Sequence, residues 1–292
     1  MALNRLAGRL AGIVGADHVL AAEPCAPYAV DGQVPKAVVF PADAQELSEI
    51  MKLASAERLS VVPWGSGTKI GLGGIPARVD LVVGLKRLNQ IIDYEPGDLT
   101  ATFQAGMLLR EAQTSLHSSG QFLPFDPARC ERATIGGILA TNSSGPWRHR
   151  YGTARDLVIG IRVVHADGTL TKGGAKVVKS VSGYDMNKLY VGSLGTLGII
   201  LETTLRLYPL PAVERTWIAL FLTGEAAACA VAQILHSTIV CTRVELLSSF
   251  AAQSVGRQAG CALPADTVAV AVSVGSMSEA VDTQIAAIRK LC

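Results

Sequence analysis

The sequence has few charged and few aromatic residues, and no run of like charges exceeds two. Charged residues make up 17% and aromatic residues 5% of the 292 residues, and 26 basic and 24 acidic side chains give a net charge of +2. A nucleic-acid interface needs clustered basic residues, and a disordered chain needs a lower hydrophobic content than the 49% found here. The composition predicts a folded protein without a nucleic-acid partner, long enough for one large or two ordinary domains.

The sequence also lacks an apolar run that could span a membrane, which takes about 20 residues. Near the N-terminus, Arg9 and Asp17 interrupt the apolar block that a secretory signal peptide requires. Leu3, Leu6 and Leu10 instead fit one face of an amphipathic opening helix, with a mitochondrial transit peptide as the alternative. We expect a cytoplasmic protein without a transmembrane segment, whose membrane association, if any, is through partners.

The six cysteines form no recognisable metal-binding or redox motif. No pair is spaced C-x-x-C, and no His follows a Cys pair at zinc-finger distance. Free thiols in a reducing compartment are the simplest interpretation. We therefore expect no metal site and no iron–sulfur cluster within this chain.

The hydrophobic pattern predicts an α+β protein in three segments. Residues 1–34 form an N-terminal helical segment, residues 35–211 a domain of alternating strands and helices, and residues 212–292 a second domain after Pro209 and Pro211. Strands are predicted over 37–40, 60–63, 79–83, 90–94, 100–104, 157–165, 169–172 and 197–208, with helices after Asp43 and over 108–119.

The predicted second domain contains two strands and two helices. The strands cover 217–222 and 268–274, and the helices cover 226–236 and 279–291. No further strand is predicted to complete a sheet with these two. We therefore expect a partial domain, less stable than the segment before it.

A glycine-rich loop follows the predicted strand 60–63. Five of the ten residues from 65 to 74 are Gly, and glycine lets backbone N–H groups crowd around the oxygens of a phosphate. The loop does not match a dinucleotide fingerprint because Ile70 replaces the third glycine, and Lys69 is misplaced for a P-loop. From this segment alone, a phosphate-binding loop and a plain wide turn both remain open.

Two further segments are rich in small and hydroxyl-bearing residues. Residues 133–145 combine a glycine pair with Ser, Thr and Asn, and residues 192–200 carry three glycines directly before a strand. Small residues allow close approach, and hydroxyls can donate to phosphate, ribose or carbonyl groups. Three such segments joined to strands favour one long ligand held by backbone, such as a dinucleotide.

The ordered motifs resemble the FAD-linked oxidases of the vanillyl-alcohol oxidase type, which carry a PCMH-type flavin-binding domain. The resemblance covers residues 35–211 and rests on the segments 63–69, 133–137, 142–145, 151–152, 155–156, 183–185 and 195–198. Within the family, segments 144–146 and 178–185 are most similar to the FAD-binding component of bacterial glycolate oxidases (glycolate dehydrogenases). The resemblance implies an α+β fold in which two subdomains clasp FAD, followed by a partial α+β cap domain.

The resemblance also implies which residues bind FAD. The first loop would hold the pyrophosphate, residues 134–145 would line pyrophosphate and isoalloxazine, and residues 195–200 would meet adenine and ribose. Carried over position by position, the cofactor-binding residues are Trp64, Gly65, Ser66, Gly67, Thr68, Lys69, Asp126, Thr134, Gly136, Gly137, Asn142, Ser144, Gly145, Gly198, Ile199 and Ile200. No His lies between positions 19 and 116, so FAD is expected to bind non-covalently.

The activity implied by the resemblance is that of an FAD-dependent 2-hydroxy-acid dehydrogenase or oxidase. A short acid of the glycolate or D-lactate type would pass a hydride to the flavin, and the electrons would go to a separate iron–sulfur subunit. A homologous flavoprotein subunit would complete the complex. The alternative is a non-catalytic FAD-binding subunit for assembly or electron relay.

Arg148 and His149 are the candidate catalytic residues because they follow the segment expected to line the flavin. Arginine can bind a carboxylate bidentately, and histidine can act as a base. The alternative is that both are solvated loop residues or contact a partner chain.

Overall fold

The computed structural model of the chain describes residues 2–174, 186–258 and 260–292. The segment 178–185, which contributes to the resemblance above, lies outside the described residues. The helices are α1 Ala2–Val14, α2 Ala44–Ala56, α3 Leu109–His117, α4 Ile135–Thr141, α5 Arg148–Tyr151, α6 Ala154–Leu157, α7 Asn187–Tyr190, α8 Gly224–Leu235, α9 Ser249–Gln258 and α10 Ser278–Leu291. The strands are β1 Val19–Ala21, β2 Ala37–Val39, β3 Val61–Trp64, β4 Leu81–Gly84, β5 Ile91–Glu95, β6 Thr100–Gln104, β7 Gln121–Phe122, β8 Val158–Val164, β9 Leu170–Gly174, β10 Ile199–Arg206, β11 Tyr208–Pro209, β12 Val213–Phe221, β13 Arg243–Leu247 and β14 Val268–Ser276.

The larger of two compact units comprises residues 1–144 and 153–209. Its first sheet has the order β1-β2-β4-β3, in which β2, β4 and β3 are parallel and β1 is antiparallel to β2. Its second sheet is antiparallel, with the order β5-β6-β10-β8-β9. One core cluster contains buried side chains from both sheets and from α1, α2, α3, α4 and α6.

The connection between β3 and β4 is unusual for parallel neighbours, which are commonly joined through a helix. Here the chain crosses over through residues 65–80, which contain the glycine loop and no helix. The loop therefore starts at the carboxyl end of β3, where side chains and N–H groups can face a ligand.

The helix α2 shows how local sequence determines an element. The Asp43 carboxylate caps its first turn by accepting hydrogen bonds from the Gln45 and Glu46 N–H groups, each at 2.8 Å. The apolar residues Leu47 and Ile50 are then fully buried on one face. The predicted helix after Asp43 is confirmed.

Residues 1–34 are not wholly helical, contrary to the expectation. The amphipathic opening helix is present as α1, with Leu6, Leu10 and Val14 buried. It is followed by β1, which pairs with β2 at the edge of the first sheet. This segment belongs to the larger unit and contributes to its core.

The smaller unit comprises residues 145–152 and 210–292. It contains a three-stranded antiparallel sheet of order β12-β14-β13, against which α8 and α10 bury apolar side chains such as Ala227, Val281 and Ile288. The expectation of only two strands and two helices in residues 212–292 is wrong, because the structure also contains the strand β13 and the helix α9. The division of the chain at 34 and 211 stays a prediction.

Among the helices in the described ranges, none combines the length and the apolar character needed to cross a bilayer.

Asp80 is a buried carboxylate that joins the two parallel strands β3 and β4. It accepts a hydrogen bond from the Ser60 N–H at 2.8 Å and pairs with Lys36 at 2.7 Å and Arg78 at 3.1 Å. Burial by itself would raise the pKa of this carboxyl, but the hydrogen bonds from Lys36 and Ser60 and the charges of Lys36 and Arg78 together hold its pKa below the usual value.

We expect the Asp80→Asn variant to have a free energy of unfolding lower by about 1–3 kcal/mol at pH 7. Because the folded-state pKa is depressed, the carboxylate stabilises the fold above its unfolded pKa of about 3.9, and this contribution is lost as the pH falls through the folded pKa. The difference between wild type and variant should therefore shrink below about pH 4. Urea unfolding at pH 7 and at pH 3 measures it, with the exposed Asp98→Asn as the control; an equal difference at both pH values would contradict this account.

Candidate functional site

A cavity of about 270 Å³ lies within the larger unit, and its walls come from three separate parts of the chain. We call it the glycine-loop cavity. The loop 65–74 forms one wall, α4 a second, and residues 194–196 a third. A narrower cavity of about 70 Å³ shares Gly65, Thr134 and Gly137 with it and continues past Gly198. The three segments that the sequence singled out therefore meet at one place.

Eleven of the predicted cofactor residues line these two cavities. They are Gly65, Ser66, Gly67, Thr68, Lys69, Thr134, Gly136, Gly137, Gly198, Ile199 and Ile200. Their role in binding stays a prediction, but their convergence is a feature of the fold.

Close packing fixes the path of the loop. Gly67 has a positive φ of 73°, and a Cβ atom there would lie 2.5 Å from the Trp64 ring. A Cβ atom on Gly65 would overlap the Thr134 hydroxyl. Thr134 in turn caps α4 by accepting a hydrogen bond from the Gly137 N–H at 3.2 Å. Only glycine fits at positions 65 and 67 while the loop stays against both neighbours.

Several hydrogen-bond donors of the loop have no partner among the residues that the structure describes. The Ser66 hydroxyl oxygen is buried and makes no hydrogen bond in the described part of the chain. The backbone N–H groups of residues 66–69 donate no hydrogen bond to another described backbone group. A buried hydroxyl without a partner is costly, and adjacent unpaired N–H groups form an anion-binding nest. The loop therefore has the donor set that a phosphate ester needs.

Lys69 adds positive charge to the same wall. Its side chain is half-buried, and burial, followed by the nearby charge of Arg129, lowers its pKa. Arg129 reaches the loop from a distant part of the chain and donates from Nη1 to the Thr68 carbonyl oxygen at 3.4 Å. No local pattern in the sequence indicates Arg129, because the contact joins residues 61 positions apart.

Three predicted residues of the larger unit have side chains engaged elsewhere. The Trp64 ring packs beneath the loop against Tyr28, with ring centroids 5.2 Å apart. Asn142 ends α4 and accepts a hydrogen bond from the Arg155 N–H at 3.3 Å, and Ser144 accepts one from the Ala154 N–H at 3.4 Å. These side chains support the cavity walls and do not line the cavity, and half-buried Asp126 does not line it either. The role of these four residues in cofactor binding stays a prediction.

Gly145, Arg148 and His149 belong to the smaller unit. Arg148 and His149 begin the short helix α5 and are exposed. Neither side chain makes a hydrogen bond or ion pair within the part of the chain that the structure describes. Their assignment as catalytic residues stays a prediction.

In the described ranges, no three His, Cys, Asp or Glu side chains lie close enough together to hold a metal ion.

Comparison with known sequences identifies relatives of this chain. Residues 35–174 match the family described as an FAD binding domain. The chain is 39% identical over 214 residues to the glycolate oxidase subunit GlcD of Bacillus subtilis (strain 168). This alignment covers 73% of this chain and 46% of that protein. It is 35% identical over 218 residues to a probable mitochondrial D-lactate dehydrogenase of Danio rerio, covering 73% of this chain and 43% of that protein. The chain thus spans less than half the length of these curated relatives.

Solved structures with the same fold cover nearly the whole chain. An alkyldihydroxyacetonephosphate synthase superposes with a TM-score of 0.83 at 22% identity, over 99% of this chain and 58% of that one. Substrate-bound p-cresol methylhydroxylase superposes with a TM-score of 0.78 at 17% identity, over 99% of this chain and 63% of that one. At these identities the likeness shows the fold alone, and it confirms the predicted α+β fold. Together with the family match and the similarity to a glycolate oxidase subunit, it confirms the resemblance that the sequence motifs indicate.

Proposed function

Because residues 35–174 belong to the FAD binding domain family, we propose that the chain is the FAD-binding part of an oxidoreductase acting on a short 2-hydroxy acid. The observation that carries this proposal is the 39% identity to a glycolate oxidase subunit, supported by the 35% identity to a D-lactate dehydrogenase. Glycolate and D-lactate share a hydroxyl-bearing carbon next to a carboxylate. This shared group defines the proposed substrate class.

The glycine-loop cavity fits the phosphate part of FAD. The Ser66 hydroxyl, the Lys69 ammonium and the N–H groups of residues 66–69 would bind the pyrophosphate oxygens. Gly198, Ile199 and Ile200 in the narrower cavity would contact the adenine end. The loop contains no His, so we propose non-covalent binding. When bound, the flavin supplies the hydride acceptor.

The remaining chemistry is proposed for the protein side chains. Arg148 would bind the substrate carboxylate, and His149 would remove the hydroxyl proton. The electrons would then leave to a separate iron–sulfur subunit, and a homologous flavoprotein subunit would share the complex. A relative that is itself named a subunit supports this arrangement. We propose a cytoplasmic location, with any membrane association made through these partners.

A second candidate function is a non-catalytic FAD-binding subunit for assembly or electron relay. It is favoured by the exposure of Arg148 and His149, whose side chains nothing in the described structure holds in place. A carboxylate clamp and a base are normally fixed by neighbouring groups. In this case the substrate would be oxidised on the homologous subunit.

Anaerobic mixing of the FAD-loaded protein with glycolate or D-lactate distinguishes the two functions. The first predicts that the visible flavin absorption is bleached, because the flavin takes up the hydride and no acceptor is present. Acetate, which lacks the hydroxyl group, is the control and should cause no change. Bleaching only after a partner subunit is added supports the second function, and a purified protein that binds no FAD contradicts both.

A further inference from the structure

Arg129 approaches the glycine loop from outside the segments that the family resemblance assigns to the cofactor. It directly precedes the 3₁₀ turn Cys130–Arg132, and its side chain extends to the Thr68 carbonyl oxygen at 3.4 Å. Thr68 lines the glycine-loop cavity, so the guanidinium lies beside the rim of the cavity.

Lys69 and Arg129 place two positive charges at the same loop. In the described ranges, neither Lys69 nor Arg129 forms an ion pair with a carboxylate. Lys69 is half-buried, and its pKa is lowered by burial and by the neighbouring Arg129. Like charges close together repel each other, and an anion bound between them would remove this cost.

The buried Ser66 hydroxyl points to the same kind of ligand. It lines the cavity together with Lys69 and has no partner in the described residues. A hydroxyl donor, an ammonium and a guanidinium at one loop are the groups that bind a phosphate ester. The hydrogen bond from Arg129 to the Thr68 carbonyl oxygen is long, and the Arg129 side chain is exposed. Since Arg129 also has no ion pair in the described residues, its guanidinium can turn to a ligand at little cost.

We propose that Arg129 is a phosphate-binding residue of this chain, which binds the pyrophosphate of FAD together with Lys69 and Ser66. The inference rests on the proposed function, because it takes FAD as the ligand. Arginine suits this role since its planar guanidinium can donate two parallel hydrogen bonds to one phosphate group. Arg129 would thus close the open side of the glycine loop over the ligand.

Titration of cofactor-free protein with FAD tests the proposal, with binding followed by the change in flavin fluorescence. We expect Arg129→Gln to raise the Kd for FAD about tenfold or more, which is the effect of losing a charge-assisted hydrogen bond, and Arg129→Lys to raise it less. The matched control is Arg132→Gln, which removes an exposed arginine from the same turn and should leave the Kd within about twofold. The Kd of the Arg129→Gln variant should also depend less steeply on NaCl concentration, because one charged contact is missing.

Each alternative outcome is distinct. Wild-type affinity in the Arg129→Gln variant would overturn the proposal, as would an equal loss in the Arg132→Gln variant, which would indicate a general effect of net charge. A tenfold loss with an unchanged salt dependence would also overturn it, because Arg129 would then only position the loop through Thr68. If Arg129→Gln does not fold, the Kd of Arg129→Lys decides: a rise is expected because an ammonium cannot donate two parallel hydrogen bonds to one phosphate group, and an unchanged Kd would overturn the proposal. Failure of the wild type to bind FAD would contradict the proposed function itself.

Discussion

The Gly67→Val variant should fold but lose FAD, with an increase in Kd of at least about a hundredfold. Gly67 has a φ of 73°, which a β-branched residue rarely adopts, and its Cβ would lie 2.5 Å from the Trp64 ring. The ring cannot give way easily because it packs against Tyr28. The loop must therefore change its path, and the N–H groups of residues 66–69 would no longer converge. The ratio of flavin to protein absorbance after purification measures the loss.

Gly71→Val is the matched control for this prediction. Gly71 lies in the same loop, but a Cβ atom there meets no atom within 4 Å, and its φ is not positive. This variant should bind FAD as the wild type does, with a stability within about 0.5 kcal/mol. If Gly67→Val retained its FAD, the loop would not be the phosphate site. If both variants lost it equally, the positive φ and the Trp64 contact at Gly67 would not be the cause of the loss.

Local patterns were sufficient to predict most of the larger unit. The hairpin strands β5 and β6 and the strands β8, β9 and β10 lie within about two residues of the predicted ranges, because alternating apolar residues and turn residues mark them in the sequence. The glycine loop could be predicted for the same reason, since its composition is unusual over ten consecutive residues. Its recognition does not require any contact between distant residues.

The direction of individual side chains was harder to predict. Trp64 adjoins the loop, and its assignment to the cofactor stays a prediction; its ring packs, as Val62 does, against the apolar cluster around Cys25 and Phe40. Side chains alternate along a strand, so Val62 and Trp64 at the end of β3 share a face. Val61 and Val62, on opposite faces of β3, both line the glycine-loop cavity, so alternation along the strand does not by itself decide which side chains can meet a ligand.

Residue type also left two roles open for Asn142 and Ser144. Both can donate to a ligand, and both can accept hydrogen bonds from backbone N–H groups. In the structure they accept from Arg155 and Ala154 and so tie the end of α4 to α6. No local pattern separates these two uses, because the partner lies ten or more residues away.

The elements missed in the smaller unit are stabilised by contacts distant in sequence. The strand β13 has only five residues, and two of them, Arg243 and Glu245, are charged. It is held by pairing with β14 and by an ion pair between Arg243 and Glu214. A short strand with charges at alternate positions looks like a solvated loop until its neighbours are known. Arg129 was missed for the same reason, since its contact with Thr68 joins residues 61 positions apart.

The junction of the two sheets in the larger unit depends on the pair Ala105 and Gly106. The Ala105 N–H donates to the Leu201 carbonyl of β10 at 2.9 Å, and the Ala105 carbonyl accepts from the Gly136 N–H at 2.8 Å. The Gly106 N–H donates to the Leu88 carbonyl at 2.8 Å, beyond the end of β4. Two adjacent residues thus connect the second sheet, α4 and the segment that follows the first sheet, next to the narrower cavity.

Gly106→Ala should therefore destabilise the protein by about 3 kcal/mol or more, at the upper end of the range for overpacking a core. A Cβ atom at this position would lie 2.6 Å from the Leu85 carbonyl carbon and 2.7 Å from the Leu88 oxygen. Backbone atoms cannot rotate away as a flexible side chain can, so β4 and β6 would have to separate. Urea unfolding of the cofactor-free protein measures the loss.

Gly97→Ala is the control, because a Cβ atom in that turn meets nothing within 4 Å. Replacing such a glycine leaves stability unchanged or raises it by up to about 1 kcal/mol. Since Leu85 and Gly136 line the narrower cavity, the Gly106→Ala variant should also bind FAD more weakly than the Gly97→Ala variant under conditions where both are folded. Equal stability of the two variants would mean that the sheets can shift at this junction without cost, and that the narrower cavity does not depend on it.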